Sequence, residues 1–372
     1  MKTLKIIVVA GARPNFMKVA PLIQQIEAYN ANNGNGVQPV EALLVHTGQH
    51  YDESMSHVFF RELGIRAPDI NLNAGPGSHA QQTAKIMMAF EPVCEREKPD
   101  WVVVVGDVNS TLACTLVCSK TGIQVAHVEA GLRSFDRSMP EEINRIVTDS
   151  LADLLLTPSE DADENLRNEG VAPRKIERVG NIMIDSLIAN LPGARKSNVL
   201  QRHQLHPGDY IYVTLHRPAN VDTKVSLTAI MAEMNRLSKH LRVIFPVHPR
   251  TSKRLGEFGI QPGNGNGLLL SDPIGYHDSL CLTEHARFIL TDSGGLQEES
   301  TFFKTPCLTL RPNTERPVTI QHGSNRLTNL DHLKQDIDNV LNGPLKLGHL
   351  PPLWDGQTAR RSLAAILAMS NK

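Results

Sequence analysis

WVVVVGDVNSTLA, residues 101–113, and QVAHVEAGLR, residues 124–133, decide how this chain folds. In each, a short apolar run stops abruptly, at Gly106-Asp107 in one and at Glu129-Ala130-Gly131-Leu132-Arg133 in the other. The same punctuation recurs along the chain. IIVVA (6–10) meets Gly11-Ala12-Arg13-Pro14, and LLV (43–45) meets His46-Thr47-Gly48-Gln49-His50. IYVTL (211–215) meets His216-Arg217-Pro218, and FIL (288–290) meets Thr291-Asp292-Ser293-Gly294-Gly295. Short β-branched runs alternating with amphipathic stretches are the pattern of α/β architecture with parallel sheets. In open parallel sheets, ligands bind beyond the carboxyl ends of the strands. A chain that puts Arg, His, Asp and Glu at those ends in both halves therefore reads as an enzyme with an interdomain cleft.

Bulk properties narrow the class. At 372 residues the chain exceeds what one hydrophobic core usually supports, so two domains are expected. A formal net charge of -1 leaves no electrostatic footprint for nucleic acid or an anionic membrane. No apolar stretch approaches the ~20 residues of a membrane span. The opening MKTLKIIVVAGARP has too short an apolar core for a signal peptide and reads as a first buried strand. Five cysteines, Cys94, Cys114, Cys118, Cys281 and Cys307, occur without any C-x-x-C. They read as small apolar residues of a reduced, cytoplasmic protein, a zinc pair at Cys114 and Cys118 being the alternative.

The pattern predicts strands over 4–10, 40–46, 101–105, 124–128, 154–157 and 176–179 in the first half. Helices are predicted over 17–29, 52–63, 79–97, 110–120, 141–152 and 160–168. The second half predicts strands over 210–214, 242–247, 267–270, 287–291 and 307–310, with helices over 223–239, 277–285, 295–302 and 331–341. Gly180-Asn181 and the Pro/Gly-bearing segment 191–208 read as a linker. The expected fold is thus α/β, with two Rossmann-like parallel-sheet domains facing across a cleft. One domain spans 1–180 and the other 181–357, and a last helix within 358–372 packs back on the first.

Several residues carry chemistry. Arg13 and Lys18 flank the turn from the first strand into its helix, where a helix N-terminus adds N–H groups for an anionic ligand. A solvated surface pair is the plain alternative. The turn lacks G-x-G-x-x-G, which disfavours a nicotinamide cofactor, and no phosphate loop of the G-x-x-x-x-G-K-[ST] kind is present. Ser293, Gly294 and Gly295 open a helix directly after a strand, so a phosphate could approach bare amides there. Glu299, deeper in that helix, suits sugar hydroxyls. Asp107 and Glu129 follow apolar runs, and partial desolvation suits a carboxylate to proton transfer. Glu141, in Met139-Pro140-Glu141-Glu142, is either a third such group or an ordinary helix opening. Arg133 could pair with these carboxylates. His216 could neutralise or protonate a departing phosphate oxygen. No metal-binding spacing occurs, so neither a catalytic metal nor another cofactor is expected.

Taken together, GARPNFMKVAP (11–21), HTGQHYDESMS (46–56), GDVNSTLA (106–113), HVEAGLRSFDRSMPEEINR (127–145), HRP-x-NVD (216–222), VHPR (247–250), TDSGGLQEE (291–299) and TERP (314–317) resemble the non-hydrolysing UDP-N-acetylglucosamine 2-epimerase family. The resemblance implies the two-domain fold of GT-B glycosyltransferases, no metal or nicotinamide, a UDP-sugar substrate and a homodimer. It implies reversible C2 epimerisation of UDP-GlcNAc to UDP-ManNAc, by anti elimination of UDP to 2-acetamidoglucal and re-addition, for surface polysaccharide precursors. By motif position, Asp107, Glu129 and Glu141 would be the acid/base set and His216 would assist at the phosphate. Arg13, Lys18, Arg133, Ser293, Gly294, Gly295, Glu299 and Arg316 would bind substrate. The chain departs from the family's best-known branch at Asn15, where Glu is common, in HRPANVD, in TGQHYD and at Ser279. A sister group acting on UDP-2,3-diacetamido-glucuronic acid shares GARP-x-F, TGQH and LRSF, while TERP and QEE favour UDP-GlcNAc. A GT-B glycosyltransferase and a non-catalytic nucleotide-sugar sensor are the other classes compatible with these residues.

Overall fold

Thirteen strands form two separate parallel sheets among the described residues. The computed structural model describes residues 2–32, 38–48, 64–261, 267–344 and 346–371, and for Arg13 and Pro14 the backbone alone. The expected helix over 52–63 lies outside these residues. Two compact units emerge: Met1–Ile188 with Pro352–Lys372, and Ala189–Pro351.

The first unit carries a seven-stranded sheet. Its strands are β1 (Leu4–Ala10), β2 (Val40–His46), β3 (Ile70–Asn71), β4 (Trp101–Val105), β5 (Gln124–Val128), β6 (Leu154–Thr157) and β7 (Ile176–Arg178). They lie in the order β3-β2-β1-β4-β5-β6-β7. Every pairing is parallel, with Val8 beside Leu44 on one side and Ile7 beside Val102 on the other. Helices cover both faces, which is why the strands are apolar throughout rather than alternating. On one face Ile7, Val9, Val102 and Val104 pack with Ile86, Phe90, Cys114 and Val117 of helices His79–Glu97 and Asn109–Thr121. On the other, Ile6, Val8 and Val103 meet Leu22 and Ile26 of helix Arg13–Asn32 and Leu363 and Ile366 of helix Thr358–Ser370. Each such buried side chain contributes about 1.5–3 kcal/mol of transfer free energy.

The closing helix is fastened by polar contacts as well. Asp185 accepts from the backbone N–H groups of Thr358 and Ala359 at 3.1 and 2.8 Å, and the Trp101 indole donates to Ser370 Oγ at 2.8 Å. All five cysteines are free and buried.

The second unit has six strands: β8 (Tyr210–Thr214), β9 (Arg242–Pro246), β10 (Leu268–Ser271), β11 (Phe288–Thr291), β12 (Cys307–Leu310) and β13 (Asn325–Thr328). Their order is β10-β9-β8-β11-β12-β13, again all parallel. Ile211 and Val213 face one apolar layer with Leu227, Ile230 and Met234; Tyr210 and Tyr212 face the other with Leu282 and Ile289.

The differences from the sequence reading have local causes. The first helix begins at Arg13, not at 17, and the stretch read as a linker at 191–208 contains the end of helix Ile182–Ala194. Gly193 is there for packing: a Cβ at that position would stand 2.5 Å from His277 Cε1. Strand β13 was not expected because it is polar; its Asn325 is fully buried yet bonded to Thr309, Gln297 and Thr319. Helix Pro249–Phe258 was missed because only Thr251 and Leu255 of its charged sequence are buried.

Candidate active site

Both sheets have a switch point, where the strand order turns back on itself: between β1 and β4 in the first unit, and between β8 and β11 in the second. Loops leave the two adjacent strands there in opposite directions, opening a crevice beyond their carboxyl ends. Lys18 and Asp107 follow β1 and β4, and His216 and Ser293 follow β8 and β11.

In the first unit Lys18 Nζ makes a short ion pair with Glu129 Oε2, and both side chains are buried. Gly106, at φ 67°, makes room for the pair, since a Cβ there would stand 2.8 Å from Lys18 Nζ and 3.5 Å from Glu129 Oε2. Glu129 itself has φ 69°, a left-handed conformation that costs a residue with a Cβ about 1–3 kcal/mol. That bend lets the N–H groups of Glu129 and Ala130 both donate to the Leu156 carbonyl, at 3.1 and 3.2 Å. The other carboxylate oxygen, Glu129 Oε1, is buried with no hydrogen-bond partner among the described residues. An unsatisfied buried acceptor costs about 1–3 kcal/mol.

Asp107 pairs with Arg145, its side chain remaining 29% exposed. The side chain of Glu141, half-buried at the start of helix Pro140–Leu151, makes no hydrogen bond or ion pair with a described residue. Asn15 explains its own departure from Glu. Its Oδ1 accepts from the Gly11 and Ala12 N–H groups at 3.1 and 2.9 Å while its Nδ2 donates to the Val105 carbonyl at 3.3 Å, and a carboxylate cannot donate.

Arg133 is engaged within the fold. It is 3% exposed and committed to carboxylates, with Asp149 at 2.7 Å and Glu169 at 2.7 and 2.6 Å. Its guanidinium braces the turn after β5. Asp149 also takes a hydrogen bond from the Gly131 N–H at 3.0 Å and faces His127 Nδ1 at 2.6 Å, while His127 Nε2 faces the Gly106 carbonyl at 2.8 Å. The Arg13 side chain lies outside the described part of the structure.

In the second unit Asp292 is the organiser. Fully buried, it faces His216 Nδ1 at 3.0 Å and accepts from the His216 and Arg217 N–H groups and from Asn220. Burial pushes its carboxyl up, but His216, Asn220 and Arg217 together hold it below the usual range. His216 is thereby oriented while its side chain stays 43% exposed.

Ser293 precedes helix Gly294–Phe303 without its hydroxyl capping it, so that hydroxyl and the first-turn N–H groups are available together. Beside Gly295 no described residue packs within 4 Å of a would-be Cβ, whereas at Gly294 that atom would meet Arg316 Nη1 at 2.9 Å. Arg316 sits in a buried chain of charges, 2.8 Å from Glu298 and 2.5 Å from Glu315, which also binds Arg311. Glu299 is buried, and burial together with the neighbouring Glu298 pushes its carboxyl up to about 8. No group of three or more candidate metal ligands occurs among the described residues.

The family model for UDP-N-acetylglucosamine 2-epimerase matches residues 35–367. The chain belongs to that family. It is accordingly an isomerase. A UDP-N-acetylglucosamine 2-epimerase of Methanocaldococcus jannaschii is 41% identical over 367 residues, covering 96% of this chain and 97% of the relative. A UDP-2,3-diacetamido-2,3-dideoxy-D-glucuronate 2-epimerase of Pseudomonas aeruginosa is 39% identical over 327 residues, 87% of this chain and 88% of that one. The crystal structure of the Methanocaldococcus jannaschii epimerase in complex with UDP-GlcNAc and UDP superposes with a TM-score of 0.86 at 42% identity, covering 98% of this chain and 100% of that one. The fold extends further, to a UDP-glucosyltransferase of Polygonum tinctorium with a TM-score of 0.60 at 12% identity, covering 99% of this chain and 94% of that one. Within this epimerase family, the residues that sequence reasoning did not single out are Arg145, His127 and Asp149. A Glu and an Arg three residues apart on a helix look like a surface pair, and nothing local reveals that this pair is buried.

Proposed function

We propose that the protein interconverts UDP-GlcNAc and UDP-ManNAc. The observation that carries this reading is the buried Lys18–Glu129 pair beside a switch point that also holds the partly exposed Asp107 carboxylate. A base takes the proton from C2 of the sugar as the bond from C1 to the β-phosphate oxygen breaks. The C–H electron pair becomes the C1–C2 double bond, leaving 2-acetamidoglucal and UDP. The phosphate oxygen then returns to C1 while a proton is delivered to the opposite face of C2. Asp107, Glu129 and Glu141 supply the proton-transfer groups. Lys18 and Arg13 hold the diphosphate or the nearby sugar, and His216, oriented by Asp292, assists the departing phosphate. Ser293, Gly294 and Gly295 receive phosphate oxygens, while Glu299 and Arg316 serve the nucleoside end. Metal is not called for in this scheme, because the charge that develops on the phosphate meets N–H groups and cationic side chains.

The Pseudomonas aeruginosa relative supports UDP-2,3-diacetamido-glucuronic acid as the second substrate reading. Incubation with each UDP-sugar in D₂O, followed by chromatography and mass analysis, decides between them. The expected result is UDP-ManNAc from UDP-GlcNAc, with deuterium at C2. Epimerisation of the uronate alone would move the assignment to the second substrate. Free ManNAc with UDP, or label passed to an acceptor with C2 untouched, would contradict the proposal.

A further inference from the structure

Asp107 is held by a line of contacts that begins at an exposed turn. Phe135 has φ 58°, unusual for a residue with a Cβ, and its ring is exposed. With Ser134 it directs two consecutive N–H groups at Glu142, which accepts them at 3.0 and 2.8 Å. Burial works to raise the Glu142 carboxyl, but these N–H groups and Arg145 hold it below the usual range. Glu142 Oε2 in turn takes Arg145 Nε at 3.0 Å and Nη2 at 2.6 Å. With two of its nitrogens anchored and only 2% of its side chain exposed, the guanidinium has one direction left for Nη1, and it is taken by Asp107 Oδ2. Asn144, on the same helix, fixes the other end of the residue by donating to the Asp107 carbonyl at 2.9 Å.

We propose that Arg145, locked by Glu142, is the positioning residue that aims the Asp107 carboxylate in the epimerisation; this rests on the function proposed above. Arg145 touches no substrate, being buried behind Asp107. The planar fork is what the task demands, because one cation must serve Glu142 and Asp107 at fixed angles. A lysine keeps the charge but loses the geometry. The strain at Phe135 then has a purpose, since it pays out as orientation at the reacting group.

Misaiming a catalytic group costs about 10²-fold in rate, so Arg145→Lys should lower kcat by about 10- to 100-fold with KM for UDP-GlcNAc within about threefold. Glu142→Gln should do the same, and the double variant should lose no more than the worse single, since both break one linkage. Wild-type kcat in Arg145→Lys, or losses that multiply in the double variant, would overturn the inference. Nitrogen-15 arginine spectra add a readout independent of turnover. The Arg145 Nη signals should be slowed in rotation in the wild type and freed in Glu142→Gln; freely rotating Nη groups in the wild type would overturn the inference. Absence of C2 exchange in a wild type whose Arg145 is locked would count against the proposed function instead.

Discussion

Gly295 separates a structural from a ligand-binding role more cleanly than any other residue here. Its would-be Cβ meets no described residue packed against it, and it stands in the first turn of a helix. Alanine should therefore leave stability unchanged or raise it by up to about 1 kcal/mol, because glycine is the poorer helix former. If phosphate oxygens pack against those amides, the same methyl should weaken UDP binding at least about tenfold by calorimetry. Unchanged binding would remove Gly295 from the substrate site. Glu299 makes a pH-dependent prediction. Its carboxyl stands at about 8 in the folded protein against an ordinary 4.5, so the folded state holds the proton more tightly than the unfolded chain. Stability from this group is intact below about pH 4.5, declines as pH rises, and is fully lost above about pH 8. Melting temperatures of Glu299→Gln should therefore fall less than those of the wild type across that window. Parallel curves would contradict the raised value.

At the scale of elements, the turn after β5 is where backbone conformation and chemistry meet. Gly131 follows the left-handed Glu129, has φ 80°, and faces the Ala162 carbonyl so closely that a Cβ would stand 2.4 Å from its oxygen. Gly131→Ala should destabilise the protein by about 1–3 kcal/mol in denaturant titration, through both the strained φ and the clash. A cost near zero would mean that the turn is looser than described. This turn also shows what the sequence discloses and what it conceals. Strands β4 and β5 were legible to the residue, because five apolar side chains followed by Gly-Asp, or the mostly apolar Val-Ala-His-Val ending in Glu, read as buried strands. Asp107 and Glu129 were legible as strand-end carboxylates for the same reason. The partners of Arg133 were not legible because a charged residue in a polar turn looks exposed, and only the fold brings Asp149 and Glu169 around it. Arg145 stayed hidden because its partner Asp107 is remote in sequence. Strand β13 stayed hidden because its buried Asn325 is satisfied by side chains from three other segments.

For the whole molecule, the chain's last helix belongs to the first unit although its sequence follows the second. Asp185 is the link, accepting the two N–H groups that begin helix Thr358–Ser370. Asp185→Ala should cost about 1–2 kcal/mol, as the loss of a helix cap does, and should raise hydrogen exchange in 358–370 first. Exchange rising equally throughout the first unit would show that the helix is not separately fastened. No helix among the described residues is long and apolar enough to cross a membrane. The central claim is that strand-end carboxylates of the first unit move the C2 proton of a bound UDP-sugar. Its most direct test is deuterium wash-in at C2 of UDP-GlcNAc by the wild type and by Asp107→Asn, with UDP affinity measured alongside. The account predicts wash-in that slows by at least about 10²-fold in the variant while UDP affinity is unchanged. Equal wash-in in the two proteins, or none in the wild type, would contradict it.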